Sequence, residues 1–260
     1  MAEKTQTTLV VFLLDRTGSM SVVKAETIES FNDYVGGLQE PMDGSDPDDI
    51  LFTLLQFDSV SLDKVYIAKP VKEVPFLTDE TYVPRANTPL IEAATDTIEM
   101  TAAVVAARID TPKVVVCIQT DGEENHSGPD YTWARLKTLI EEKQKLGWQF
   151  NFLGAGIDAY QQATQMGIAA ASTMSYDHAS LGASKKAFRE SAMNVRGFAA
   201  GAREDTSYTM AQRADAGDKF GEQWLDASGK DKNQGQPPSV TPPVVSASRK
   251  GIRRKPSREA

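Results

Sequence analysis

Short apolar runs alternate with amphipathic segments along residues 7–200, and this alternation constrains the fold more than any other feature. Residues 8–14 (TLVVFLL) and 113–119 (KVVVCIQ) are mostly apolar and rich in β-branched side chains, which is typical of strands buried on both faces of a parallel sheet. Between residues 21 and 38, apolar side chains recur at helical spacing with acidic residues between them. Strands that alternate with helices predict an α/β fold with a doubly wound, Rossmann-like sheet.

The remaining elements follow from the same two periodicities. A short alternating strand at 62–68 comes after a turn at Asp58, and we expect it to form the one antiparallel edge strand of a mostly parallel sheet. Thr88 is predicted to cap a helix that has Pro89 at its first position. Further strands are predicted at 50–57, 148–153 and 170–174, and further helices at 130–146, 157–166 and 180–200.

Charge divides the chain into two unequal parts. The net charge of −8 comes from 28 basic and 36 acidic residues. Residues 228–260 hold eight basic and two acidic residues, a balance of +6, which leaves 20 basic and 34 acidic residues, a balance of −14, in the rest. We therefore predict one domain at 7–201, an extension at 202–227 that packs on it through Tyr208, Phe220 and Trp224, and a proline-rich, basic, disordered tail at 228–260.

Several classes of protein are disfavoured by composition. Cys117 is the single cysteine, which excludes an intramolecular disulfide framework and a multi-cysteine metal site. No run approaches the ~18 apolar residues of a membrane span. The polar residues 1–8 lack the apolar core of a signal peptide. A cytoplasmic protein with no membrane association is expected.

Oxygen-bearing side chains cluster in three loops beside the predicted strands. Residues 15–20 (DRTGSM) and 120–125 (TDGEEN) follow the two most apolar strands, and residues 87–90 (NTPL) open a helix. Ligands bind at the carboxyl ends of the strands in such sheets, so these loops are expected to converge. Hard divalent cations take oxygen ligands. The candidate metal ligands are Asp15, Thr17, Ser19, Thr88 and Asp121.

The motifs D-x-T-G-S-M, T-P-L and T-D-G, in this order, resemble the metal-ion-dependent adhesion site of von Willebrand factor A domains. The segments FTLLQFDS and FNFLGAGIDA are similar to solitary forms of this domain in bacteria and phages. The resemblance implies a bound Mg²⁺ or Mn²⁺, in preference to Ca²⁺. Ser19 and Thr17 would be direct ligands, Thr88 a direct or water-mediated one, and Asp15 and Asp121 would act through water. The family pattern D-x-S-x-S has serine where this chain has Thr17, which retains the hydroxyl.

The same resemblance implies a function. An aspartate or glutamate of a partner protein would complete the metal's coordination shell, so the expected protein is a metal-dependent interaction module and not an enzyme. Related bacterial domains act with AAA+ ATPases or with stress-response and defence complexes, which suggests that class of partner. The basic tail is a candidate contact for nucleic acid or for an acidic protein surface.

Two enzymatic alternatives stay open at the level of sequence. Gly154 and Gly156 belong to a G-x-G-x-x-A motif between a predicted strand and a helix, and Asp177 lies where a ribose-binding acid would follow, as in NAD- or FAD-dependent enzymes. A Mg²⁺-dependent phosphoryl-transfer enzyme would use Asp15 as nucleophile and Arg16 as the only nearby phosphate clamp. Glu123 and Glu124 are interpreted as a solvated pair, and His126 as a solvated loop residue.

Overall fold

A computed structural model of the protein describes residues 6–41, 49–155, 159–177 and 182–232. Its centre is a six-stranded sheet with the order β3-β2-β1-β4-β5-β6, in which β3 is antiparallel to β2 and all other neighbours are parallel. The predicted doubly wound sheet with one antiparallel edge strand is confirmed. The strands are β1 (Thr8–Asp15), β2 (Ile50–Phe57), β3 (Leu62–Pro70), β4 (Lys113–Thr120), β5 (Gln149–Ala155) and β6 (Thr173–Tyr176).

Helices cover both faces of the sheet. One face packs against the first and fifth helices, and the other against the second, third and fourth. Within the described residues, no helix combines the length and the apolar character needed to cross a membrane. The helices are α1 (Lys24–Gln39), α2 (Leu90–Ala106), α3 (Trp133–Lys145), α4 (Ala159–Met166), α5 (Ala183–Ala199), α6 (Met210–Asp215) and α7 (Gly221–Trp224).

The central strand β1 is buried along its whole length, as its sequence predicts. Its alternate residues face opposite cores, so Phe12 contacts the α1 side and Val11 the α2 side. The Phe12 ring lies 5.4 Å from that of Phe31 and 4.8 Å from that of Tyr34, in edge-to-face geometry. Each such side chain contributes roughly 1.5–3 kcal/mol through burial. The end of β1, where the site begins, is thus anchored by both cores.

Several element boundaries differ from those predicted. α1 begins at Lys24, because residues Gly18–Ser21 form a separate 3₁₀ turn. α3 begins at Trp133 and not at residue 130, because the Thr132 side chain accepts a hydrogen bond from the Arg135 N–H and caps the helix there. β6 begins at Thr173, since the three residues before it form another 3₁₀ turn.

The segment that follows α5 packs against the β6 edge of the sheet. Tyr208 donates its N–H to the carbonyl of Ala171, and the Trp224 ring stacks on that of Tyr160 at 5.9 Å. An isolated bridge joins Leu225 to Asp231, so the described chain runs past the predicted start of the tail at residue 228. Residues 233–260 of the predicted disordered tail lie outside the described residues. The limits of the domain at 201 and of the extension at 227 stay predictions.

Candidate metal centre

The site begins where β1 and β4 end side by side. Leu14 pairs with Gln119 in the parallel register, which brings Asp15 level with Thr120. Asp15 is fully buried. One carboxylate oxygen accepts the Thr17 N–H at 2.6 Å, and the other accepts the Thr120 hydroxyl at 2.5 Å. The sheet and the first loop therefore hold this carboxylate in one orientation.

The charge of Asp15 is not balanced by a basic side chain. Burial raises the pKa of Asp15 to about 6, although hydrogen bonds from Thr120 and Thr17 lower it, and the nearby Asp121 carboxylate raises it further. No ion pair in the described part of the chain includes Asp15. A buried carboxylate that accepts hydrogen bonds only from neutral groups and lies near a second carboxylate is costly in free energy, so a cation at this position would be stabilising.

Two hydroxyls of the first loop lie close to each other, and one of them binds Asp121. Ser19 Oγ donates to Asp121 Oδ1 at 2.7 Å, and Thr17 Oγ1 lies 3.2 Å from Ser19 Oγ. The loop bends at Gly18, whose N–H donates to the Ala86 carbonyl at 3.0 Å. A β-carbon on Gly18 would approach that oxygen to 3.1 Å, so glycine permits the close contact between the two loops.

The third hydroxyl, that of Thr88, reaches the same region from the loop before α2. A β-carbon built on Gly122 would lie 3.4 Å from Thr88 Oγ1 and 3.8 Å from Ser19 Oγ, so both hydroxyls border the space above this glycine. Asn125 fixes the Thr88 backbone at two points, because its side chain accepts the Thr88 N–H at 2.9 Å and its own N–H donates to the Thr88 carbonyl at 3.0 Å. The structure thus brings together all five predicted residues.

The prediction that Thr88 caps α2 was wrong. The helix begins at Leu90, and the residue before it makes no side-chain cap. Instead Glu124 accepts the Ile91 N–H at 2.8 Å, and its other oxygen accepts the N–H groups of His126 and Ser127 at 2.7 Å each. Glu124 is therefore a structural anchor between two loops and not part of a solvated pair. The Thr88 hydroxyl does not cap the helix and instead borders the candidate metal centre above Gly122.

Glu124 and Asn125 were missed as site-building residues by sequence reasoning. Each acts on a backbone group more than 30 positions away along the chain, at Ile91 and Thr88 respectively. Local spacing carries no signal for such contacts. The only available hint was that both lie within three residues of the end of the T-D-G motif.

Arg16, the predicted phosphate clamp of the phosphoryl-transfer alternative, points away from the site. Its guanidinium donates to Asp58 at 2.7 Å and to Asp63 at 2.7 Å, and only 7% of the residue is exposed. Burial alone would raise the pKa of Asp58, but hydrogen bonds from Arg85, the Val60 N–H and Arg16 hold it below its usual value. Because Arg16 pairs with Asp58 and Asp63, it is not available to bind a phosphate, and the phosphoryl-transfer alternative lacks its clamp.

The residues of the dinucleotide alternative are only partly described. Gly154 lies inside β5, where it pairs with Thr120 on one side and with Ser175 on the other. Gly156 lies outside the described residues. Asp177 forms an ion pair with Lys219. Because β6 is the edge strand, no described strand continues the sheet as a full dinucleotide-binding half would.

The donor set fits a hard divalent cation. Two carboxylates and three hydroxyls converge, and Mg²⁺ prefers oxygen ligands together with retained water. Among the described residues there is no group of three or more His, Cys, Asp or Glu side chains arranged to hold a metal. A cation at this centre would therefore depend on the Ser and Thr hydroxyls.

Comparisons with known proteins identify the fold. Neither protein-family models nor curated protein sequences match the chain. Among solved structures, it is similar to proximal thread matrix protein 1 of the mussel byssus (TM-score 0.53, 12% identity, 74% of this chain and 48% of that chain). It is also similar to a von Willebrand factor type A structure from Catenulispora acidiphila (0.52, 13%, 74% and 43%) and to the pilus adhesin SpaC of Lactobacillus rhamnosus GG (0.50, 13%, 74% and 31%).

These likenesses define a class by its architecture. The chain spans less than half the length of each of these three structures. At such low identity the comparison concerns the fold and not the activity. The protein has the von Willebrand factor A fold, and the resemblance of its three loop motifs to that family agrees with the sheet and helices described above.

Proposed function

We propose that the protein is a divalent-metal-dependent protein-interaction module. Asp15, Thr17, Ser19, Thr88 and Asp121 would hold one Mg²⁺, or Mn²⁺ in its place. When bound, the ion would supply a Lewis-acidic position that an aspartate or glutamate of a partner protein completes. The observation that carries the proposal is the fully buried Asp15 carboxylate, which has no basic partner among the described residues and lies in one loop with the linked hydroxyls of Thr17 and Ser19.

The hydrogen bonds of Asp15 support an affinity for an additional acid. Both of its oxygens are engaged, one by the Thr17 N–H and one by the Thr120 hydroxyl. Its carboxylate would therefore act on the ion through water, while the neutral hydroxyls of Ser19 and Thr88, which border the space above Gly122, would be direct ligands. Neutral ligands leave much of the charge of a divalent cation uncompensated. A carboxylate from outside would then be favoured over water at the remaining position.

A binding role is proposed in preference to catalysis. The nearest cation in sequence, Arg16, is occupied by Asp58 and Asp63, so a phosphate or an oxyanion would find no free basic group there. SpaC, which shares the fold, is itself a pilus adhesin, and this supports an adhesive use of the architecture. The class of partner, including an AAA+ ATPase or a stress or defence complex, is still a prediction.

Isothermal titration calorimetry tests the metal centre directly. We expect one Mg²⁺ or Mn²⁺ site in the full chain and loss of the binding heat in Asp121→Ala, which removes a carboxylate hydrogen-bonded to Ser19. Asp215→Ala, an exposed acid at the end of α6, is the matched control and should titrate like wild type. Thermal melts confirm that each variant is folded. Unchanged binding by Asp121→Ala would overturn the proposal.

Partner binding needs a second measurement. The immobilised protein is incubated with host lysate in Mg²⁺ and then washed with EDTA. Proteins that EDTA releases from wild type, and that Asp121→Ala does not retain, are the expected partners. If metal binds in the calorimeter but chelation releases no protein, the interaction part of the proposal is wrong.

A further inference from the structure

A polar groove opens directly beside the candidate metal centre. Its volume is about 210 Å³. Gln162 connects it to the centre, because its side-chain amide donates to the carbonyl of Gly122 at 3.3 Å, and Glu123 is the next residue along. A chain segment that placed an acid at the centre would therefore extend naturally into the groove. The residues that line the groove are Glu123, Glu124, Trp133, Gln161, Gln162 and Gln165.

One part of the groove has the chemistry of a site for a basic side chain. Glu123 is exposed and takes part in no ion pair within the described residues, whereas Glu124 is fully used by backbone N–H groups. Trp133 is half-buried, with its indole packed on the core beneath α2 and α3. An indole and a carboxylate that line one groove favour an arginine or a lysine, through cation–π attraction and a charge-assisted hydrogen bond.

The other part of the groove is lined by amides. The three glutamines lie on one face of α4, at positions 161, 162 and 165. A side-chain amide donates and accepts hydrogen bonds in the same way as a peptide backbone. The Oε1 atom of Gln162 is buried and has no hydrogen-bond partner among the described residues, which makes it an unsatisfied acceptor at the wall of the groove.

We propose that this groove binds an extended peptide segment of the partner protein. A lysine or arginine of the segment lies against Glu123 and Trp133, its backbone meets the glutamine amides of α4, and its acid reaches the metal centre. The net charge of −14 outside the tail favours a segment that is basic beside its acid. The inference rests on the proposed function, because the metal centre is the anchor from which the segment enters the groove.

Peptide selection tests this inference with defined probes. Phage-displayed random peptides of about ten residues, which span roughly 33 Å when extended, are selected on the immobilised full chain in Mg²⁺ and eluted with EDTA. We expect the eluted peptides to carry an Asp or Glu with a Lys or Arg within about four residues of it, a span of roughly 13 Å. A synthetic copy should bind Glu123→Lys about tenfold more weakly in fluorescence polarisation.

The control and the contrary outcomes separate this inference from the proposed function. Glu142→Lys makes the same charge change about 2.5 turns beyond Trp133 on α3 and should bind the peptide like wild type. If acids are enriched without a basic neighbour, or if Glu123→Lys selects the same peptides, the groove proposal is wrong and metal-dependent binding stands. A selection that yields no EDTA-eluted peptide contradicts the proposed function, and the groove proposal falls with it.

Discussion

Two buried charged side chains of this protein, Arg213 and Asp15, differ in whether the chain supplies an opposite charge. Arg213 is 1% exposed, and its guanidinium donates to the backbone carbonyls of Ala170, Ala171 and Thr173. The carboxylate of Asp218 faces it at 3.7 Å. Asp15 is 0% exposed and accepts hydrogen bonds only from neutral groups. The chain itself therefore satisfies the first charge, while the second lacks a counter-charge among the described residues.

This difference separates a structural charge from a functional one. The Arg213 cluster joins the segment after α5 to the β6 edge, and both terminal nitrogens of the guanidinium donate to groups of that edge. A position next to Asp15 in sequence does not make a charge functional. Arg16 directly follows Asp15, yet it is a structural charge, because it pairs with Asp58 and Asp63. A buried carboxylate without a cation is the more informative observation, because folding alone gives no reason to keep it.

The largest effect is expected from Arg213→Met. Removal of the guanidinium leaves the Asp218 carboxylate, whose side chain is 0% exposed, without its cation and strips three carbonyls of their donor. Breaking a buried pair in this way costs about 3–5 kcal/mol of unfolding free energy. Urea unfolding measures the loss. Arg189→Met, at an exposed pair with Glu40, is the control and should cost below ~1 kcal/mol. Equal losses of unfolding free energy for Arg213→Met and Arg189→Met would show that Arg213 does not have the structural role assigned to it.

Asp15→Asn should show the opposite sign in the absence of metal. The asparagine can accept the Thr17 N–H and donate to Thr120, whose hydroxyl can turn to the Gly122 carbonyl at 3.2 Å. Removal of an uncompensated buried charge is expected to stabilise the metal-free protein by about 1–3 kcal/mol at pH 7. Mg²⁺ should raise the melting temperature of wild type only. A variant that is less stable than wild type in EDTA would show that the carboxylate is needed for folding.

The pH dependence of stability provides a separate check on Asp15. Its pKa is raised from 3.8 to about 6 in the folded state, so folding favours the protonated form. That contribution is fully present below pH 3.8 and is lost as the pH rises through 6. Asp58 and Asp63, whose pKa values are lowered, act in the opposite direction at lower pH. The difference in unfolding free energy between wild type and Asp15→Asn, measured in EDTA, should therefore change between pH 4 and 6. A flat difference across this range would contradict the role assigned to burial.

The parts of the molecule that sequence predicts are those encoded locally. The strands of the sheet, the antiparallel edge and the loops that carry Asp15, Ser19 and Asp121 follow from periodicity and from where strands end. Their role as metal ligands is still a prediction. The Arg213 cluster was missed, because it lies in a segment where the apolar pattern fails and the three carbonyls that it binds are 40 or more positions away. Contacts of this kind depend on the folded arrangement and leave no periodic trace.

The smallest effect on stability, and a selective one on the metal, is expected from Gly122→Ala. The new methyl would lie 3.4 Å from Thr88 Oγ1 and 3.8 Å from Ser19 Oγ, at ordinary contact distances, so stability should change by less than about 1 kcal/mol. A cation shared by these two hydroxyls would be crowded, and we expect the Mg²⁺ affinity to fall about tenfold or more, an energy near 1.4 kcal/mol. Gly128→Ala, in the same loop and with contacts of 3.6 Å or longer, is the calorimetric control. Gly122→Ala could bind Mg²⁺ like wild type while Asp121→Ala does not. In that case Ser19 and Thr88 do not share one ion, and the centre consists of the loops at 15–20 and 120–125 without Thr88.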